Sequence, residues 1–286
     1  MNHKTKLAFT IALAIGACPV LTHATNGMNS EGTGPKSRGM GGAGVAMANE
    51  AQSIINNPAA VTALGNRRDM ALGLFSPDER GFEITGNGAI FNQAQTSEKK
   101  IFPIPFYGFS KALDDGAAWA FTLSAAGGMN TDYATNFGAL AGDPGHTGID
   151  LAQMFFGGTY GAKLSDSTSW GVTVSLAYQQ FSAEGLQRFD NPPTSESPGF
   201  VTNKGTDSST GIGLKVGFLG DLSNGATWGA SYQFKTDMSK FDDYKGLFAN
   251  QGELDIAPTL TLGIAYPIGD GKTLAVDYHY IDYEAV

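Results

Sequence analysis

Gly39, Gly41 and Gly44 satisfy the spacing G-x-G-x-x-G, which in a nucleotide-binding unit lets backbone amides cradle a pyrophosphate. That chemistry needs a strand leading into the loop, and Ser30 to Arg38 is instead polar and glycine-rich. Metal or acid–base chemistry would have to use His146 or His279, the only histidines past residue 24. Neither has a cysteine, histidine or carboxylate partner at ligand spacing, so no zinc site is expected. A serine hydrolase would need one of them set against a serine and an orienting polar group, and no spacing supports that. His279 falls beside Asp277 and reads as a polar lining residue. No catalytic residue and no cofactor are expected.

The elements that would position such residues announce themselves through a repeat. Asp114-Asp115-Gly116 precedes Trp119, Asp166-Ser167 precedes Trp170, and Asn224-Gly225 precedes Trp228, which uses all three tryptophans. Each sits just past a polar turn, at the foot of an alternating segment. After Trp170 the even positions Val172, Val174, Leu176 and Tyr178 oppose Gly171, Thr173, Ser175 and Ala177, a strand with one apolar and one small or polar face. Trp119, Phe121 and Leu123 repeat the pattern, as do Ile212, Leu214, Val216 and Phe218, and Leu274, Val276, Tyr278 and Tyr280. Such segments suit a barrel wall with lipid outside and a polar lumen inside, the tryptophans forming an interfacial girdle.

Nine strand candidates follow Arg67, at about 68–85, 101–112, 117–129, 151–164, 169–181, 210–222, 227–236, 254–268 and 273–283. Short turns at 113–116, 165–168, 223–226 and 269–272 alternate with long links at 87–100, 130–150, 182–209 and 237–253. Outer-membrane barrels place short turns in the periplasm and long loops outside. Ser76-Pro77-Asp78 is expected to kink the first strand, because Pro77 lacks a ladder donor. Nine is an odd number, and an open sheet edge in hydrocarbon leaves N–H and C=O groups without partners. The chain therefore reads as an incomplete barrel, ending at Glu284-Ala285-Val286 without a terminal aromatic.

Lys4 and Lys6, the apolar run Leu7 to Ala17, and Thr22-His23-Ala24 are expected to form a signal peptide over residues 1–24. The segment around Cys18 also resembles a lipoprotein cleavage box. Cleavage after Ala24 removes that single cysteine and two lysines with no acids, taking the formal charge from −9 to −11. So acidic a chain, lacking basic clusters, excludes nucleic acid as a partner. Residues 25–66 carry neither alternation nor a sustained helical stripe beyond a short helix expected around 45–55; residues 67–286 would form the partial barrel.

The N-terminal segment also carries a resemblance. Ala24-Thr25-Asn26-Gly27, the run Gly34-Pro35-Lys36-Ser37-Arg38-Gly39-Met40-Gly41-Gly42-Ala43-Gly44-Val45-Ala46, and Asn56-Asn57-Pro58-Ala59-Ala60 resemble the hatch of the FadL family of outer-membrane transporters for long-chain fatty acids and other hydrophobic compounds. More weakly, Phe75-Ser76-Pro77-Asp78 resembles the family's kinked first strand, and Gln187-Arg188-Phe189 its fifth strand entering the third long loop. The resemblance implies an all-β fold: a transmembrane antiparallel barrel of fourteen strands, about nine of them present, plugged by an N-terminal hatch.

It further implies a monomer, when complete, in the Gram-negative outer membrane that passively admits hydrophobic small molecules such as long-chain fatty acids, with outer-membrane lipid as its other partner and no cofactor. The molecule would leave sideways where the third strand kinks, at Gly127 and Gly128, although paired glycines equally relieve crowding at a strand end. Arg188 would anchor a carboxylate headgroup, or else stand as a solvated loop charge beside Asp190. Asn57, Pro58 and Ala59 would hold the hatch to the wall, or form a turn that starts the first strand. An adhesin using loops 182–209 and 237–253 is the competing class, and a lipid hydrolase a further one.

Overall fold

The computed structural model describes Gly27 and residues 32–77, 80–82, 95–134 and 145–286. Cys18 and the expected signal peptide lie outside the described residues. Eleven strands are present among them: β1 (Arg67–Phe75), β2 (Gly81–Phe82), β3 (Gln95–Thr96), β4 (Phe102–Ala112), β5 (Ala118–Tyr133), β6 (Thr147–Lys163), β7 (Thr168–Glu184), β8 (Asp207–Asp221), β9 (Thr227–Gln233), β10 (Thr259–Gly269) and β11 (Lys272–Ile281). Nine of these make one antiparallel meander in the order β1-β4-β5-β6-β7-β8-β9-β10-β11, and β2 pairs only with β3.

Alternation decides which face of each strand is wetted. On β1, Met70, Leu72 and Leu74 are between 66% and 76% exposed, while the residues between them turn inward. Val174 and Leu176 on β7, and Leu274, Val276, Tyr278 and Tyr280 on β11, stand out in the same way. A continuous apolar exterior of this extent is far beyond what a water-soluble monomer presents, and it matches a lipid-facing wall. Strands β6 and β7 have 17 residues each. At about 3.3 Å per residue and a 45° tilt they rise roughly 40 Å, enough to cross the ~30 Å hydrocarbon core and project beyond it.

The hairpins close at the turns the sequence marks. Asp115 Oδ1 accepts from Ala117 N at 3.0 Å and Asn224 Oδ1 from Ala226 N at 3.1 Å, each turn passing through a glycine with φ near +80°. Short polar side chains hold such turns by bonding two residues ahead. Just past them the aromatic girdle forms: Trp119 packs on Phe109 with ring centroids 5.2 Å apart, and Trp170 on Tyr160 at 6.1 Å.

Two strand boundaries depart furthest from expectation. The first strand does not kink and continue to residue 85; β1 ends at Phe75, paired with Phe102, and the chain leaves the sheet at Ser76-Pro77, where Pro77 has no N–H for a ladder. Asp78 lies outside the described residues. The chain returns as the β2–β3 hairpin, which the Arg80 guanidinium ties to the Asn130 carbonyl at the outer part of β5. The second difference is β10, which begins at Thr259 rather than near residue 254, because 234–258 folds as a cap joined to itself by a Thr236–Ile256 bridge. Phe241 and Tyr244 of that cap are fully buried with Leu151 and Phe181 in an apolar cluster at the outer end of the wall.

The other core lies on the inner face. Residues 32–66 pack there, with Val45, Ile54, Ala59, Ala60 and Val61 at most 1% exposed. Instead of the short helix expected around 45–55, the segment is a series of turns with helical pieces at Pro35–Gly39, Ser53–Asn56 and Val61–Leu64. Its amides reach both ends of the sheet. Ala51 N donates to Asp69 of β1 at 2.7 Å, and Val45 N donates to Asp277 of β11 at 2.9 Å. Laid flat, the eight gaps from β1 to β11 would span about 38 Å, whereas six residues of chain reach at most about 22 Å. The sheet must therefore curl around the segment.

Candidate functional site

A cavity of about 220 Å³ lies between this segment and the wall. Val45, Ile54 and Ile55 give it an apolar floor, and Phe155 and Ile256 line it toward the long loops. Hydroxyls from the inward positions of β5, β7 and β10 line its sides, among them Thr122, Thr173, Ser175 and Thr261. Three ionisable groups join them: Lys215, Asp277 and His279.

The floor is seated by close approach. Gly161, Gly171 and Gly217 stand side by side on β6, β7 and β8, and Gly229 faces Gly263 on β9 and β10. A Cβ at Gly171 would lie 2.5 Å from the Pro58 carbonyl group, one at Gly217 2.1 Å from Asn57 Oδ1, and one at Gly229 2.1 Å from the Val45 oxygen. No side chain fits in those gaps, so this row of glycines is where backbone meets wall.

Asn57 is fully buried at the centre of that contact. Its Nδ2 donates to the carbonyls of Val45 and of Phe218 on β8, both at 2.8 Å, and its Oδ1 accepts from Ala59 N at 3.1 Å. The last bond caps the helical turn Pro58–Ala60, with Pro58 in the first position, where its missing N–H is harmless. A turn is thus present, but β1 begins only at Arg67. Further bonds run from the wall: Lys215 Nζ to Ile55 O at 2.9 Å, Ser231 Oγ to Asn56 O at 2.9 Å, and Thr227 Oγ1 to Ala46 O at 2.7 Å.

Gly127 and Gly128 follow an irregularity in β5. Ala125 pairs with Met154 and Gly127 with Gln153, so one extra residue is inserted between them as a β-bulge. A bulge of one residue bends its strand and exchanges which positions face each side. A Cβ at Gly128 would lie 2.5 Å from the Leu151 carbonyl oxygen.

Arg188 is elsewhere. It lies exposed in the turn Gln187–Phe189 of the loop between β7 and β8 and does not line the cavity. The cation that does is Lys215, which the alternation of Ile212, Leu214, Val216 and Phe218 leaves on the opposite, inward face of β8. Its signal was being the charged residue between Gly213 and Gly217.

His279 lines the cavity as a polar group, its Nδ1 3.0 Å from Thr261 Oγ1. His146 corrects the expectation that it has no carboxylate partner. Its Nδ1 lies 2.8 Å from Asp132 Oδ1, with the Glu98 carboxylate close by. The hydrogen bond to Asp132, reinforced by that charge, raises the His146 pKa above its ordinary value. The glycines 39, 41 and 44 follow no strand; a helical turn at Pro35–Gly39 precedes the loop, and the Gly44 amide is already taken by Asp277 Oδ2 at 2.7 Å.

The family described as outer membrane protein transport protein (OMPP1/FadL/TodX) matches residues 22–280 of the chain. Among solved structures, the P. putida toluene transporter TodX is similar with a TM-score of 0.64 and 17% identity, covering 89% of this chain and 71% of TodX. The Ralstonia pickettii toluene transporter TbuX gives 0.66 and 19%, covering 88% and 72%. A Pseudomonas aeruginosa FadL homologue gives 0.62 and 15%, covering 90% and 70%. Identities this low speak to the fold alone. A comparison with curated proteins finds no match.

Proposed function

Since the chain belongs to the OMPP1/FadL/TodX family of outer-membrane transport proteins, which carry hydrophobic compounds and are not enzymes, we propose that it admits long-chain fatty acids or similar hydrophobes through its lumenal cavity. In this reading residues 25–66 are a hatch and residues 67–286 the wall, with 1–24 removed on export. The observation that carries the proposal is the cavity itself, roofed by apolar groups and floored by a segment pinned to the wall.

A floor held by this many bonds makes straight passage beneath it costly, which supports a sideways exit. The β5 bulge beside Gly127 and Gly128 is the weak point in the wall's ladder. Asn57, Pro58 and Ala59 serve as the lock of the hatch. Arg188, out on its loop turn, acts at the mouth of the lumen, collecting carboxylates before they descend. The cavity's volume also suits a single aromatic ring, since an engineered cavity of about 150 Å³ takes up benzene. Toluene, the compound named for TodX and TbuX, is therefore the second substrate to test.

In cells producing the protein, uptake of labelled fatty acid or toluene should exceed that of cells without it, and Gly127→Val with Gly128→Val should abolish the excess while the protein still reaches the outer membrane. Equal uptake with and without the protein would defeat the transport reading. Adhesion would then be indicated by cell binding that disappears on deleting 185–206 or 237–253.

A further inference from the structure

Lys215 is the feature the transport scheme leaves unused. Its side chain projects from the middle of β8 into the cavity, half-buried, between cross-strand neighbours Thr173 and Gln233, which line the same space. An ammonium offers three N–H donors. One goes to Ile55 O at 2.9 Å, and among the described residues no carboxylate lies within ion-pairing distance. A cation enclosed in this way without a counter-charge is unfavourable unless an anion joins it.

Asp277, the acid that shares the cavity, forms no ion pair with Lys215 and is engaged through one oxygen. Its Oδ2 accepts from Gly44 N and Val45 N at 2.7 and 2.9 Å, while its Oδ1 is buried without a hydrogen-bond partner against β10, where a Cβ on Gly263 would lie 2.2 Å away. The cavity therefore holds one carboxylate fastened to the floor through Oδ2 and one ammonium with donors to spare. Below the ammonium the floor is apolar, and Thr173 and Gln233 stand beside it as further hydrogen-bonding groups.

We propose that Lys215 sets the headgroup preference of the lumen, its ammonium taking the carboxylate of a hydrophobic acid whose tail lies against Val45, Ile54 and Phe155. The proposal rests on the transport reading and deepens it. Acids are retained in preference to neutral hydrophobes of the same tail, and the residue responsible is Lys215 rather than Arg188.

The test is equilibrium dialysis of labelled octanoate and octan-1-ol against the full chain in a non-ionic detergent at near-neutral pH, with protein-free micelles subtracted. Lys215→Met should weaken octanoate binding at least about tenfold, the scale of one charge-assisted hydrogen bond, and leave octanol within about twofold. Lys215→Arg should retain octanoate. Because Lys215 also bonds Ile55, Lys215→Gln is the second variant. It keeps an N–H donor without the charge, and should likewise lose octanoate selectively. If octanoate binding survives both neutral variants, or if both probes fall together in Lys215→Gln, the headgroup role is wrong while transport stands. If the parent protein binds neither probe, both readings fall.

Discussion

Asn57 shows how much one side chain can hold. Three hydrogen bonds converge on a fully buried amide, two of them to backbone carbonyls. Asn57→Ala should lower stability by about 2–4 kcal/mol, because lost bonds are compounded by orphaned buried acceptors. The midpoint of heat-induced unfolding in detergent checks this, and a midpoint equal to the parent's would show that the bonds contribute little. At the outer rim, His146 should titrate above the ordinary histidine value of about 6.5. A raised pKa means that the folded protein binds the proton more tightly. The contact with Asp132 is then complete below the ordinary value and fades as pH rises through the raised one. Asp132→Asn should return the imidazole to its normal midpoint, read by NMR. An unchanged midpoint would mean that the pair does not exist in solution.

Strands and turns were the legible part of this molecule, because both are local. Period-two alternation from Trp170 to Tyr178 needs only one strand's residues to be read, and the Asp-Gly and Asn-Gly turns carry their own hydrogen bonds. What could not be read is what depends on partners far along the chain. The inserted residue in β5 appears only once Ala125 and Gly127 are matched to β6, and it exchanges inward for outward beyond that point. Asp132 meets His146 across a long link. The inward glycines were visible as a small face, but not the reason for them, which is the backbone of residues 45–59 lying against them. That reason is open to test at the level of the element. Gly217→Val would drive a side chain into Asn57 and Pro58, so the segment should lift from the wall while the strands still form. Single-channel conductance in planar bilayers should rise above the parent's, and an unchanged closed state would show that the glycine row is not what seats the floor.

For the molecule as a whole, two apolar environments meet across one sheet. The exterior is greasy because lipid is its solvent. The interior is compact because residues 32–66, hydroxyls and the capping loop fill it, with a small space left over. This arrangement explains the near-neutral mean hydropathy of −0.12 in a chain that lives in a bilayer. Each strand divides its residues between lipid and lumen, so averages conceal what the alternation displays. The competing readings fare unevenly at this scale. A hydrolase would need one of the two late histidines set against a serine, yet His146 pairs with Asp132 at the outer rim and His279 with Thr261 inside. An adhesin would need only the loops, and would leave the elaborately seated floor without a purpose.

The carboxylate of Asp277 grips amides 233 and 232 positions earlier in the chain. Synthesis therefore delivers one half of that clasp long before the other exists. Until the β10–β11 hairpin has been made, the segment around Val45 has walls to lean on but nothing to fasten its near edge. That clasp can accordingly close only by bringing an early stretch of the polypeptide to a late one, and any factor that escorts the nascent protein to the membrane has to keep the early stretch unentangled until then.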